Sequence, residues 1–138
     1  MHRRFTAGAL VAALAIGCLA LATTTAAAQD ECTVTGTAGT DFLTGTKQAE
    51  VLCGLRGSDM LQAKAGDDTV VGGQGNDTLV GGKGSDTLLG GRGNDRISSV
   101  DGVAGNDTVN GGTGFDVCFV DEGDVVSRCE QVFTSPVG

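Results

Sequence analysis

Acidic residues recur along this chain at a fixed interval of nine. The series runs Asp41, Glu50, Asp59, Asp68, Asp77, Asp86 and Asp95, and it resumes twelve residues later with Asp107 and Asp116. Carboxylate oxygens are ligands that hard divalent cations prefer. Regularly spaced carboxylates could therefore form a row of cation sites, provided that the fold brings successive repeats into register.

The apolar residues predict the elements that would do this. If the acidic residue is position 6 of a nine-residue unit, position 8 is an apolar column: Val34, Leu43, Leu52, Leu61, Val70, Leu79, Leu88, Ile97, Val109 and Cys118. One apolar residue between two variable neighbours is typical of a short strand, and the glycine-rich stretch between strands is typical of a turn. We expect strands of about three residues, turns of about six, and two units per coil.

Stacking such coils gives an all-β fold, a right-handed parallel β-roll with coils about 4.8 Å apart. Every second acidic residue then lies on the same edge, where neighbouring carboxylates would repel by about 1–3 kcal/mol per pair. Calcium accepts six to eight carboxylate and carbonyl oxygens, whereas magnesium prefers a smaller shell and zinc prefers His or thiolate. The sequence therefore predicts several bound calcium ions.

The repeats "GGQGNDTLV", "GGKGSDTLL" and "GGRGNDRIS" resemble the haemolysin-type calcium-binding repeat, or RTX nonapeptide, G-G-x-G-x-D-x-U-x. The resemblance extends over residues 54–98 and 102–119, and the flanks are similar to those of small exported bacterial proteins, notably actinobacterial ones. It implies that position-6 carboxylates and the carbonyls of positions 1 to 4 bind the ions. The implied ligands are Asp59, Asp68, Asp77, Asp86, Asp95, Asp107 and Asp116, with the carbonyls around Gly72, Gly73, Gly75, Gly81, Gly82, Gly84, Gly90, Gly91 and Gly93.

Some units depart from this pattern. Ala63, Lys64 and Ala65 replace the start of one unit, Val103 replaces a glycine, and about three residues are inserted at 99–101. We expect weaker binding at the first of these turns and a local disturbance of register at the insertion. No ion is expected at Asp41 or Glu50.

The first 28 residues are typical of a secretory signal peptide. A basic start precedes the apolar stretch 5–22, and small residues follow in an A-x-A arrangement that ends at Ala28. We expect a secreted, extracellular chain without a membrane span after cleavage. An uncleaved anchor and a lipoprotein lipidated at Cys18 remain alternatives.

Cleavage would leave a single domain over 29–138, with repeats at about 36–119 and a C-terminal cap at 120–138. The four remaining cysteines are Cys32, Cys53, Cys118 and Cys129. An even number in an exported chain predicts two disulfides. The simplest pairing joins the first two cysteines and the last two, which would staple each end, but the sequence leaves all three pairings open.

Charge and composition argue against two classes of function, nucleic-acid binding and histidine-dependent catalysis. Loss of two of the nine basic residues and none of the 17 acidic ones would shift the net charge from −8 to −10, which argues against nucleic-acid binding. The one histidine, His2, would be lost, so a histidine-dependent triad or zinc site is not expected, and we expect no enzyme.

The predicted function is calcium-ion binding coupled to folding. The alternative is a calcium-dependent adhesin or interaction module with an unknown partner, although the varied residues at position 3 give it little support. Asp30 and Asp121 lie outside the nine-residue register, so replacing either is expected to have little effect.

Overall fold

The structure, a computed structural model, describes residues 32–138. The predicted signal peptide and Cys18 lie outside the described residues. Residues 32–138 form one compact unit of twelve β-strands, and this part of the chain contains no helix. Accordingly, no helix within these residues could cross a membrane.

The strands alternate along the chain between two six-stranded sheets. The first sheet contains β1 (Val34–Thr35), β3 (Val51–Arg56), β5 (Thr69–Gln74), β7 (Thr87–Arg92), β9 (Thr108–Thr113) and β11 (Val125–Ser127). The second contains β2 (Phe42–Thr44), β4 (Met60–Ala65), β6 (Thr78–Lys83), β8 (Arg96–Ser98), β10 (Val117–Asp121) and β12 (Gln131–Ser135). All strand pairs are parallel, and each strand pairs with the strand that comes two later in the sequence, as β1 does with β3. The predicted parallel β-roll with two units per coil is confirmed.

Position 8 supplies the core between the sheets. One column is Leu52, Val70, Leu88 and Val109, and the other is Leu61, Leu79, Ile97 and Cys118. All eight side chains are fully buried. Each buried aliphatic side chain contributes about 1.5–3 kcal/mol. These columns fix the register, because a slip by one residue would move the apolar side chains to the outer face.

The repeat strands are longer than the sequence indicates. β5, β6 and β7 each have six residues, running from position 7 through the glycine pair to position 3, so the turn is reduced to positions 4–6. The expectation of three-residue strands and six-residue turns was wrong. Gly73 at position 2 has φ +111°, and a Cβ on Gly91 in the next coil would meet the Gly73 carbonyl, so glycine lets the backbones pair closely here. Leu55 and Lys64 adopt φ 78° and 85° at the same position, which is strained for residues with a Cβ.

The insertion is accommodated without loss of sheet register. β8 ends at Ser98, β9 begins at Thr108, and the residues between them form an irregular loop. Leu88 pairs with Val109 and Ile97 with Cys118, each 21 residues further on, whereas the coils before the insertion advance by 18. The local disturbance therefore stays in the loop, and the sheets continue past it.

Disulfides join strands at both ends of the roll, with the pairing that is simplest from the sequence. Cys32 is bonded to Cys53 in β3, with 5.9 Å between their Cα atoms. Cys118 in β10 is bonded to Cys129, which lies between β11 and β12. The segment predicted as a C-terminal cap is thus largely a further coil, and Phe133 of β12 stacks on Phe119 of β10 at 5.1 Å between ring centroids.

Candidate metal-binding edges

The turns of the roll form two edges, each carrying one acidic residue per coil. Edge 1 carries Asp41, Asp59, Asp77, Asp95 and Asp116. Edge 2 carries Glu50, Asp68, Asp86 and Asp107. The structure therefore brings the sequence-predicted carboxylates together in two rows, as the alternation of units requires.

One oxygen of each of these aspartates ties the coils together. Asp95 Oδ1 accepts a hydrogen bond of 2.8 Å from the backbone N–H of Asp77, and Asp77 Oδ1 accepts one of 2.8 Å from Asp59. On edge 2, Asp86 Oδ1 accepts a bond of 2.9 Å from the N–H of Asp68. Each carboxylate thus fixes the turn of the preceding coil, and this bond uses one of its two oxygens.

The other oxygen is left without a partner. This second carboxylate oxygen, Oδ2, is buried and has no hydrogen-bond partner within residues 32–138. It is found in Asp59, Asp68, Asp77, Asp86, Asp95, Asp107 and Asp116. These side chains are at most 2% exposed. Burying an unpaired charged oxygen is expensive, because it gives up solvation by water and gains nothing in return. A row of such oxygens therefore indicates a group that binds them.

A backbone carbonyl lies beside several of these oxygens. The point that a Cβ on Gly54 would occupy lies 2.6 Å from Asp59 Oδ2 and 2.6 Å from the Gly72 carbonyl oxygen. The equivalent point at Gly72 lies 2.5 Å from Asp77 Oδ2 and 2.6 Å from the Gly90 carbonyl oxygen. We call this arrangement of a position-1 glycine, its unit's Oδ2 and the next coil's carbonyl a cradle, named by its glycine. A Cβ at these positions would collide with both oxygens, so glycine is what lets the carboxylate and the carbonyl of the next coil lie close together.

The donor set consists of oxygen atoms. Among residues 32–138, no three His, Cys, Asp or Glu side chains gather closely enough to hold a metal ion by themselves. Each edge contributes only one position-6 carboxylate per coil, so backbone carbonyls would have to complete any shell. This fits calcium, which accepts carbonyls readily, and does not fit zinc.

The seven buried carboxyl groups resist ionisation. Burial is the main cause that raises the pKa of each, the bond from the backbone N–H lowers it, and a neighbouring carboxylate raises it further. The pKa of Asp95 rises to about 6 and that of Asp107 to about 7. Both rows thus favour a bound positive charge, either a proton or a cation.

Sequence reasoning missed the groups that continue these rows and clamp the turns. Glu130 Oε2 accepts the Asp116 N–H at 2.7 Å on edge 1, and Asp124 Oδ1 accepts the Asp107 N–H at 3.3 Å on edge 2. Both fall outside the nine-residue spacing because the last turns are shorter. At position 5, Asn76 Oδ1 accepts the Asn94 N–H at 2.9 Å. The recurrence of Asn, Asp and Ser at this position is a signal from which this hydrogen bond between successive turns could have been predicted.

Asp121 is a structural residue, contrary to expectation. Its side chain is buried, and Oδ2 accepts the backbone N–H groups of Asp101 at 2.9 Å and Gly102 at 2.6 Å. It therefore holds the inserted loop. The prediction that its replacement would have little effect rested on its lying outside the register, which says nothing about burial.

The fold and the donor set together define a repeat protein with two edges suited to hard cations. The sequence profile described as "RTX calcium-binding nonapeptide repeat (4 copies)" matches residues 33–61, 62–97 and 99–124, more than half of the chain. The chain belongs to this family of calcium-binding repeats. No curated protein and no solved structure matches the chain significantly.

Proposed function

We propose that this chain is a secreted calcium-binding β-roll protein whose folding is coupled to calcium binding. The observation that carries the proposal is the set of buried, unpartnered Oδ2 atoms, four of which lie in glycine cradles on edge 1. A calcium ion would supply the partner that these buried oxygens lack among the described residues.

The energetic argument concerns the stacked charges. Asp59, Asp77 and Asp95 lie in successive coils; Asp59 raises the pKa of Asp77, and Asp77 raises that of Asp95. At coil spacings of about 5 Å, ionised neighbours repel by about 1–3 kcal/mol per pair. Binding energy from cations would offset this repulsion, which links binding to folding.

The proposed ligands on edge 1 are the Oδ2 atoms of Asp59, Asp77, Asp95 and Asp116, together with backbone carbonyls of positions 1 to 4. Oδ1 of each aspartate positions the preceding turn, and glycine at position 1 leaves the Oδ2 and the carbonyl free of a methyl group. A bound calcium ion would balance the negative charge of the carboxylate and would accept the carbonyl oxygen as a further ligand. Asp68, Asp86 and Asp107, with the turns of edge 2, form a second row of candidates.

Secretion is proposed from two independent features. The disulfides Cys32–Cys53 and Cys118–Cys129 belong to an oxidising compartment. The N-terminal sequence is typical of a signal peptide. Secreted material should begin at Gln29, and N-terminal sequencing that finds residues before Ala26 would contradict this.

The proposed role is structural rather than catalytic. The RTX β-roll is a structural calcium-binding fold, not typically a catalytic one. In this chain, the carboxylates at position 6 are committed to turn hydrogen bonds through one oxygen and to the cradles through the other.

Circular dichroism during a calcium titration tests the proposal. The mature chain, residues 29–138 with its disulfides intact, should gain β-sheet signal and a higher Tm as calcium is added, and magnesium at the same concentration should give a smaller change. A full β-sheet signal in EDTA with an unchanged Tm after calcium addition would show that folding and binding are not linked.

A further inference from the structure

We propose that the insertion loop, residues 99–107, supplies calcium ligands of its own and builds a site on edge 2 that differs from the repeat sites. The proposed ligands are the Asp101 carboxylate, the Asn106 amide oxygen and Asp107 Oδ2, together with the Gly84 carbonyl of the preceding coil. This inference rests on the proposed calcium binding and adds two side chains to which the nine-residue pattern assigns no ligand role.

The regular strand pairing stops at the insertion loop. In the coil before it, β4 pairs with β6 as far as Ala65 and Lys83, so the backbones run side by side through positions 2 and 3. β6 pairs with β8 only as far as Val80 and Ser98, and β9 does not begin until after residue 107. The sheet therefore does not align the carbonyls of positions 1 to 3 in this coil. A calcium ion bound here would need other oxygen ligands.

Asn106 offers such an oxygen. Its Oδ1 is buried without a hydrogen-bond partner, and it is the one side-chain atom of this kind among residues 32–138 that does not belong to a position-6 aspartate. At the same repeat position, Asn76 Oδ1 accepts the Asn94 N–H at 2.9 Å, and Asn94 Oδ1 accepts the Phe115 N–H at 2.9 Å. Asn106 Oδ1 makes no such bond. A buried amide oxygen gives up its hydration, which is unfavourable unless a ligand replaces the water.

The Asn106 amide nitrogen lies where two other oxygens converge. It donates to the Gly84 carbonyl at 2.6 Å and to Asp101 Oδ2 at 3.3 Å. The terminal bond of asparagine has two broad minima half a turn apart, so a rotation would put Oδ1 in place of the nitrogen. Three oxygens would then face one another, which requires a cation between them. Calcium accepts carboxylate, amide and carbonyl oxygens in one shell.

Negative charge is concentrated around this point. Burial is the main cause that raises the pKa of Asp86 and of Asp107, and the Asp101 carboxylate raises both further. Asp107 is 1% exposed, and its Oδ2 has no partner within the described residues. The loop thus adds a carboxylate to the two that the repeat places in neighbouring coils of edge 2. Calcium affinity increases with the number of charged ligands, so this site should be the tightest of the roll.

The loop backbone is held in position before any ion binds. Asp121 Oδ2 accepts the N–H groups of Asp101 and Gly102, as described above. Asp101 Oδ1 accepts the Val103 N–H at 2.8 Å, and its Oδ2 accepts the Gly84 N–H at 3.4 Å. These bonds direct the Asp101 carboxylate to the turn that contains Gly84. Ligands that are already in place lose less conformational entropy when an ion binds.

Replacing Asn106 by aspartate tests the inference, because a ligand and a structural amide respond in opposite ways. Asn106→Asp removes the donor to the Gly84 carbonyl, so the folded fraction in EDTA should fall. It also supplies a charged ligand, so calorimetric titration of the mature chain with calcium should show tighter binding at the tightest sites. Asn76→Asp is the matched control, because it makes the same change at the same repeat position and keeps an acceptor for the Asn94 N–H. This control should not tighten calcium binding.

Asp101→Asn removes the loop carboxylate and keeps the Oδ1 acceptor for the Val103 N–H. In equilibrium dialysis at a calcium concentration just sufficient to saturate the wild-type chain, we expect it to bind one ion fewer, with circular dichroism confirming that it is folded. Asp67→Asn is the control for charge, because the Asp67 carboxylate, like that of Asp101, adds to the effect of burial on the pKa of Asp86. It should bind the full number of ions.

Two results would overturn the inference. One is an equal loss of calcium in Asp101→Asn and Asp67→Asn, and the other is binding in Asn106→Asp that is no tighter than in the wild-type chain. If Asp101→Asn does not fold, Asn106→Asp and its control decide alone. A wild-type chain that binds no calcium refutes the proposed function instead.

Discussion

Replacing Asp77 by asparagine should change stability in opposite directions with and without calcium. Asp77 lies between Asp59 and Asp95 on edge 1, and its Oδ1 accepts the Asp59 N–H. Asparagine retains this acceptor, so the turn keeps its hydrogen bond. What changes is Oδ2, where a neutral amide group replaces the buried, unpartnered carboxylate oxygen beside the Gly90 carbonyl.

In calcium, the variant loses Asp77 Oδ2, one of the proposed calcium ligands. An ion present at a hundred times its dissociation constant stabilises the folded state by about 2.7 kcal/mol. A domain of this size changes Tm by about 4 °C per kcal/mol, so we expect Tm to fall by about 10 °C. In EDTA at neutral pH, the variant instead relieves repulsion with two neighbours, about 1–3 kcal/mol per pair, and its folded fraction should rise.

Thermal unfolding followed by circular dichroism in calcium and in EDTA measures both effects. Asp67→Asn is the matched control, because it makes the same charge change at an exposed position and keeps the acceptor for the Ser85 N–H. This control should shift Tm little in either condition. A decrease of similar size for Asp77→Asn in both conditions would refute the reasoning, since it would mean that Asp77 acts only through its hydrogen bond.

Three further predictions concern pH, the insertion loop and the disulfides. In EDTA, the folded roll should lose stability as pH rises from about 4 to 7. The raised pKa values of Asp95 and Asp107 make the folded state bind more protons than the unfolded state in this range. A folded fraction that increases with pH in EDTA would contradict this. Asp121→Ala should lower Tm in calcium by several degrees, since it removes two hydrogen bonds to the inserted loop at about 0.5–1.5 kcal/mol each. An unchanged Tm would show that the loop does not depend on this carboxylate. Replacing Cys32 and Cys53 together by serine should lower the free energy of unfolding by about 3 kcal/mol, because the disulfide closes a loop spanning 21 residues. Urea unfolding in calcium measures this, and an unchanged midpoint would show that the first coil does not need the disulfide.

Much of the fold follows from the spacing of a few residue types. The aliphatic residue at position 8 and the acidic residue at position 6 predict the two sheets, their parallel pairing and the two rows of carboxylates. The strand length did not follow from this pattern, because the glycine pair looks like a turn in sequence. In the structure Gly73 continues the strand with a positive φ, which only the pairing with the next coil explains.

The details of the candidate site depend on contacts between distant units. The nine-residue repeat treats Asp77 and Asp86 as equivalent, and their carboxylates do make the same bonds. They differ in the backbone beside them: the Gly90 carbonyl of the next coil lies next to Asp77 Oδ2, whereas the three atoms nearest to the Cβ point of Gly81 all belong to Asp86. Asp121 and Asn106 could not be found by the repeat, because the loop that gives them their partners has no counterpart in the other coils.

Every interior aspartate on edge 1 acts on three coils at once. Asp77 belongs to one coil, fixes the N–H of Asp59 in the coil before it, and shares its cradle with the Gly90 carbonyl of the coil after it. A fragment with two coils would therefore contain no aspartate with all its partners, whatever its sequence. This sets a minimum length for a stable roll of this design: three consecutive coils. If calcium binds as proposed, the ions should influence one another, since neighbouring aspartates share a coil whose order both require.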